Sequence, residues 1–481
     1  MKKNESKQVN TNILNNITYI YILIPIIIFL LGWVKLWISI PLTIALIISI
    51  ILNIKKEKLD KKYILEYLKD NKKEIIITLI ISLILVYLSG IGGYTFQNED
   101  HLYRNAIFEE LINYEWPIYL EADGKFTKEV IMVYYFAIWL PSALIGKAFG
   151  LKIGFFALYL WCTFGVYLTF RYFKKYYNKN FIVPIILFIL FSGLDYILVN
   201  LYGVKIDKNI ITSISHLEWA SGYQFSSFTT QLFWVFNQAI PAWLLTLMVL
   251  NEKDNKKLLI YLASSLLFST FPTVGLIFVM FYKIYLSSNE KINSKYLYNK
   301  TKELFSYENL IIGIPLFIIL ATFITSNSTS SNIKFGIQKG ILAYMFSVVL
   351  EFVIYYIFVF KYHKNKKLII ISLISLLICP LVEVNGTGDF CMRASIPGLI
   401  VLFILLLESL PKIKQDKTDL ILYIIIISIG MITPLNEIKR TIYNHNNKKV
   451  EYINLITSKH QKNFYGYKDE SLFVKYFAKV K

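Results

Sequence analysis

Stretches of roughly 15 to 20 apolar residues recur along almost the whole chain, and the short segments between them carry clusters of lysine. In hydrocarbon a run of that length satisfies its backbone only as a helix. The expected fold class is therefore all-α, a polytopic membrane protein with about 13 transmembrane helices. Composition supports this, since 56% of the 481 residues are hydrophobic and only 17% are charged, against about a quarter charged in soluble domains. The net charge of +19 reads as topology and not as nucleic-acid binding, because the lysines sit between apolar runs, as in cytoplasmic loops. Cys162, Cys379 and Cys391 lie in or beside apolar runs and suggest neither a disulfide framework nor a zinc site.

In chain order, Ile17 to Trp33 and Ile38 to Ile54 form a tight hairpin, read as an uncleaved membrane span followed by a second. The eight lysines of Lys55 to Lys73 place the N-terminus and this loop in the cytoplasm of a plasma or inner membrane. Ile75 to Ile91 then crosses outward. Val130 to Ala148, with Tyr134, Tyr135, Phe136, Trp139 and Pro141, is expected to lie as an interfacial helix on the outer side, because counting it as a span exports Arg171, Lys174, Lys175 and Lys179. Leu258 to Leu286 is too long for one span, and Pro272 near its middle predicts two short helices. The organisation expected is an N-terminal hairpin with its basic loop over 1–74, a transmembrane domain over 75–434 with outer loops 92–150 and 200–230, and an extracytoplasmic tail over 435–481.

In this register four polar groups collect on the outer side. The first follows Ile91: Glu99, Asp100, His101 and Arg104, in a segment where Asn98 or Asp100 caps a helix carrying Leu102, Ile107, Phe108 and Leu111 at helical spacing. Asp100 and Arg104, four apart, share a face of that helix, which Trp116-Pro117 closes. The second is the loop Asn200 to Thr230, with His216 and Glu218 and the membrane-entering Asn237-Gln238; residues i and i+2 point apart on a helix, so His216 and Glu218 form a metal dyad only on an extended loop. The third is the break at Phe271-Pro272-Thr273. The fourth is Glu383 to Arg393, where Gly386 and Gly388 allow a tight turn and Asp389 faces Arg393 across a helical turn. An arginine at the start of a span is costly unless paired or bound to an anion; it can also serve only to neutralise Asp389 or to reach phospholipid headgroups. Asp195, near the outer end of a span, needs a partner, with Lys205 and Arg393 the candidates. Asn237 and Gln238 can equally hold helices together. His363, His445 and His460 read as surface residues.

The span Ile75 to Ile91, the Glu99-Asp100 motif directly after it, the segment after Trp116-Pro117 and the many short spans that follow resemble the GT-C superfamily of membrane glycosyltransferases in layout over about Ile75 to Thr433. Uncharacterised bacterial polytopic membrane proteins are similar as well. The GT-C resemblance implies a sugar donor on a polyprenyl phosphate or diphosphate and a glycan, lipid or protein acceptor of the cell envelope. It also implies a catalytic carboxylate in the Glu99-Asp100 motif, and on the physics of the charges Asp100, helped by Glu99, is the expected general base with Arg393, and Arg104 as a second candidate, on the phosphate. His101, Asp195, His216, Glu218, Asn237, Gln238 and Asp389 are the remaining substrate-binding candidates. The chain departs from the family in its extra N-terminal hairpin and in having Glu99-Asp100 where a spaced Asp-x-Asp is usual, which leaves a divalent metal open. Two other classes stay in view: a transporter or lipid flippase, with Asp195, Asn237, Gln238 and Arg393 along its path, and a non-catalytic scaffold for envelope assembly.

Overall fold

Lysines from separate loops meet at one end of the bundle, and that convergence orients everything else. Lys174 donates to Asn71 Oδ1 at 2.8 Å, Lys257 to Asn53 Oδ1 at 2.8 Å, Lys367 to the Ser288 carbonyl at 2.8 Å and Lys412 to the Tyr362 carbonyl at 2.7 Å. Lys175 and Lys283 join the same face through Asn251 and the Glu252 carbonyl. These contacts are what a common basic side of a membrane requires. The computed structural model describes residues 2–56, 66, 68–124, 126–201, 217–219, 222–329, 331–447 and 450–479; His216 and Lys205 lie outside them.

The chain is 72% helix and 4% strand. Nine helices among the described residues are long and apolar enough to cross a membrane. Other expected spans are shorter: Lys72–Leu88 has 17 residues, Leu258–Phe268 has 11, Thr270–Phe281 has 12 and Lys366–Ile378 has 13. Ile44, Ile51, Leu52 and Ile84 stand about half-exposed on their helices, an apolar surface that suits lipid and not water. This is a multi-pass helical membrane protein.

Helix Phe228–Asn251 forms the axis, and nearly all of its residues are buried. Pro241 inside it supplies no N–H to the carbonyl four residues back, and the helix leaves α geometry at Val235 (φ −136°, ψ 39°). The Phe233 carbonyl accepts from Asn98 Nδ2 at 2.9 Å, which ties the bend to the start of helix Asp100–Asn113. The proline-split pair forms as expected. Helices Leu258–Phe268 and Thr270–Phe281 meet at an extended Ser269, with Ser265 Oγ 2.7 Å from Thr273 Oγ1 and Ser269 Oγ donating to Gln238 Oε1 at 2.7 Å. Pro272 sits in the first turn of the second helix, where a missing N–H costs nothing.

Val130 to Ala148 is not one interfacial helix. Val130–Met132 is a strand in a three-stranded antiparallel sheet, between Tyr119–Leu120 and Tyr465–Tyr467, and a ten-residue helix begins only at Leu140. Pro141 fixes that start: it fits a first helical turn and would break a helix running through it. At 1.5 Å per residue the helix is only about 15 Å long, half a bilayer core. The sheet also fixes the tail. Tyr465–Tyr467 pairs with Val130–Met132, and the chain end closes on the first hairpin, with Lys35 N to Phe477 O at 2.8 Å and Lys479 N to Trp33 O at 2.9 Å. The tail, with its own lysines, therefore lies at the same end as helix Asp100–Asn113, opposite the lysine-rich loops. The last long helical stretch runs to Tyr443.

Close packing at Gly275 gives a stability prediction. A Cβ added there would meet the Ala394 carbonyl at 2.0 Å, and backbone cannot yield as a flexible side chain does. Gly275→Ala should cost about 1–3 kcal/mol, seen as a lowered melting temperature of the purified protein; an unchanged melting curve refutes this packing.

Candidate functional site

A cavity of about 670 Å³ opens at the end away from the lysines, and Asp100, Arg104, Gln238, Asp389 and Arg393 all line it. Each element reaches it for a local reason. Asp100 and Arg104, one turn apart on helix Asp100–Asn113, form an ion pair at 2.8 Å, with Arg104 buried and Asp100 half-exposed. The turn Asn385–Gly388 follows the strand pair Ile333–Phe335 and Val382–Val384, and Asn385 (φ 55°) and Gly386 (φ 75°) take the left-handed conformations that reverse the chain. Helix Asp389–Ala394 begins there. Arg393 Nη1 lies 2.5 Å from Asp389 Oδ1 and 3.1 Å from the Asp389 carbonyl. The Arg393 guanidinium holds the Asp389 carboxyl below the usual carboxylate range.

The two guanidiniums are not exhausted by these pairs. Arg104 Nη1 and Arg393 Nε are buried and find no hydrogen-bond partner among the described residues. An arginine has five N–H donors and a planar fork suited to phosphate. A buried donor left unpaired costs about 1–3 kcal/mol, and two arginines on the wall of one cavity, each with such a donor, suit an anionic ligand. The metal possibility fares differently. Among the described residues no three His, Cys, Asp or Glu side chains are grouped to hold an ion, and Asp100 and Asp389 each face their own arginine. A divalent cation placed on them would meet two guanidiniums, so these residues do not fit one.

Other expected site residues lie elsewhere. Glu99 is exposed and outside the cavity lining. It occupies the position before the helix without a capping bond, and Asn98 gives Nδ2 to the Phe233 carbonyl while its Oδ1 makes no bond to the helix, so neither Asn98 nor Asp100 caps the helix. His101 is buried with its ring near-parallel to Phe236 at 6.0 Å. Burial, with the Arg104 guanidinium beside it, pushes its pKa down to about 3, so the ring is neutral, and His101 is not among the residues that line the cavity. Asn237 is buried and outside the lining, while its neighbour Gln238 reaches it.

Asp195 does not pair with Arg393. It accepts from Ser192 Oγ at 2.9 Å and Thr433 Oγ1 at 2.8 Å. Glu218, on the single turn Leu217–Trp219, accepts from Ser227 N at 3.0 Å. Both are buried near Glu351, which sits in a widened turn, Val349–Val353, of helix Ile341–Tyr362.

The tail supplies residues that sequence reasoning left on the surface. His460, Asn463 and Phe464 line the cavity. Phe464 stacks on Tyr103 at 5.8 Å, and the His460 ring stands edge-on to Tyr103 at 5.7 Å. The aromatic run Phe464 to Tyr467 is the one signal in the sequence that this tail packs. Of the other histidines, His363 meets Glu408 at 2.7 Å and His445 meets Thr95 at 3.1 Å.

A second cavity, about 550 Å³, lies along the same helix and is lined by Glu109, Glu110, Glu121 and Asp123 with Tyr452 and Asn454. Tyr465 Oη donates to both oxygens of Glu110 at 2.7 and 2.6 Å. Burial outweighs that bond and raises the Glu110 pKa to about 7 from 4.5. A carboxyl raised on folding binds its proton more tightly in the native state, so its contribution is full below about 4.5 and lost as pH rises toward 7. Glu110→Gln should flatten the fall in melting temperature over that window. An unchanged pH profile in the variant counts against the assignment.

The fold and site define a multi-pass helical membrane protein whose Asp100 cavity, with two arginines and two aspartates on its wall, lies at the end opposite the lysine-rich loops. No protein-family model, curated protein or solved structure matches the chain.

Proposed function

We propose that this protein is a GT-C-type membrane glycosyltransferase that moves a sugar from a polyprenyl-phosphate-linked donor to an envelope acceptor on the outer face, with the N-terminus inside and the C-terminus outside. The observation that carries the reading is one cavity lined by Asp100 together with Arg104 and Arg393, each of which keeps a donor without a partner among the described residues. Apolar Phe271 and Ile324 on its wall suit a lipid-borne substrate.

In this reading Asp100 takes the proton of the acceptor hydroxyl or amine as the acceptor atom bonds to the sugar's anomeric carbon. The bond from that carbon to the phosphate oxygen breaks, and the oxygen leaves with the electron pair, held by Arg393 and Arg104. One displacement inverts the anomeric centre. Membranes carrying the protein, incubated with labelled polyprenyl-linked sugars, should transfer label to an acceptor fraction; no transfer from any such donor sinks the proposal.

One observation favours a second reading. Buried carboxyls at Asp195, Glu218 and Glu351 suit a proton- or lipid-transport path. Movement of a labelled lipid-linked sugar between leaflets without transfer would select it.

A further inference from the structure

The lysine-rich end has a cavity of its own. It measures about 350 Å³ and lies where helices Lys72–Leu88 and Ile182–Leu190 begin and helix Leu151–Tyr176 ends. Lys73, Lys174 and Lys179 line it, and Glu74 is the one carboxylate among its lining residues. Glu74 is already engaged by Lys174 and, at 3.7 Å, by the buried Arg171. Lys73 and Lys179 are exposed and have no carboxylate partner among the described residues. Two uncompensated cations therefore rim the cavity, above one that is neutralised.

The apolar part of the lining sets the kind of anion. Ile77 and Ile182 line the cavity. One turn further along their helices stand Ile80 and Ile186, and beyond Ile80 stands Ile84, each about half-exposed. A cationic pocket thus opens onto an apolar wall that runs toward the middle of the bundle. A soluble phosphate has no use for that wall, whereas a phospholipid does.

We propose that this cavity binds the phosphate headgroup of an anionic phospholipid, with Lys73 and Lys179 on the headgroup and the acyl chains along Ile80, Ile84 and Ile186. The site is separate from the Asp100 cavity and stands whatever that cavity does.

The test uses the full-length protein in detergent, titrated with phosphatidylglycerol or with phosphatidylcholine of the same chains, and native mass spectrometry of the bound lipid. The wild type should retain phosphatidylglycerol in preference to phosphatidylcholine. Lys73→Gln with Lys179→Gln should lose roughly fivefold of that preference per lysine. Lys73→Arg with Lys179→Arg should keep it, which separates charge from folding. Equal retention of the two lipids by the wild type overturns the proposal. So does an undiminished preference in the glutamine variant, or displacement of phosphatidylglycerol by millimolar glycerol phosphate, which would mark a site for a soluble anion.

Discussion

Asp100→Asn should leave an inserted, folded protein whose sugar-transfer rate has fallen by at least about a hundredfold. Asparagine keeps an acceptor oxygen for Arg104, which lies 2.8 Å from Asp100 Oδ2, so the guanidinium and the cavity wall stay in place. What goes is the basicity that takes the acceptor proton. Initial rates with a labelled polyprenyl-linked sugar in reconstituted vesicles provide the measurement, and an unchanged melting temperature provides the control. Glu99→Gln separates the two adjacent carboxylates. Glu99 is exposed and outside the cavity, so its variant should transfer sugar close to the wild-type rate. Full activity in Asp100→Asn removes Asp100 as the base.

That contrast between neighbours marks the boundary of what the sequence could tell. Successive residues on an α-helix are turned by about 100°, so Glu99 and Asp100 cannot share a face, yet read along the chain they form one acidic motif. Pairs at the helical repeat were legible for the same geometric reason. Asp100 with Arg104 and Asp389 with Arg393 are each four apart, and both close as ion pairs. The helices were legible because uncharged apolar runs in lipid have no other way to satisfy their backbone, and the lysine clusters of their loops share one face.

The misreadings are non-local. Val130–Met132 pairs with Tyr465–Tyr467, more than three hundred residues on, and a three-residue strand carries no period of its own to announce it. Without that pairing the tail reads only as an extracytoplasmic segment and His460 as a surface residue, although the sheet brings the tail to the cavity wall. Glu351 was passed over because one carboxylate inside an apolar run does not disturb its hydropathy. It is buried near Asp195, which had been assigned a cationic partner.

Arg393→Gln should lower kcat/KM by about a hundred- to a thousandfold, the cost typical of removing one charge-stabilising donor from a reaction centre. Where the loss falls tells what the guanidinium does. A rise in KM alone means that it binds phosphate equally in the ground and transition states, whereas a fall in kcat means that it acts on the leaving group as the bond breaks. Lysine in its place keeps the charge but not the fork, so Arg393→Lys should lie between the two. The glutamine variant carries a second effect, because it leaves Asp389, now 2.5 Å from Arg393, as an unpaired carboxylate beside the phosphate. Asp389→Asn added to Arg393→Gln removes that repulsion and should restore part of the lost activity, while Asp389→Asn alone frees the guanidinium and should do little harm. Non-additivity of that sign belongs to an ion pair whose arginine also serves a ligand. If all four variants behave like the wild type, Arg393 only neutralises Asp389, and the phosphate must be held by Arg104 or not in this cavity at all.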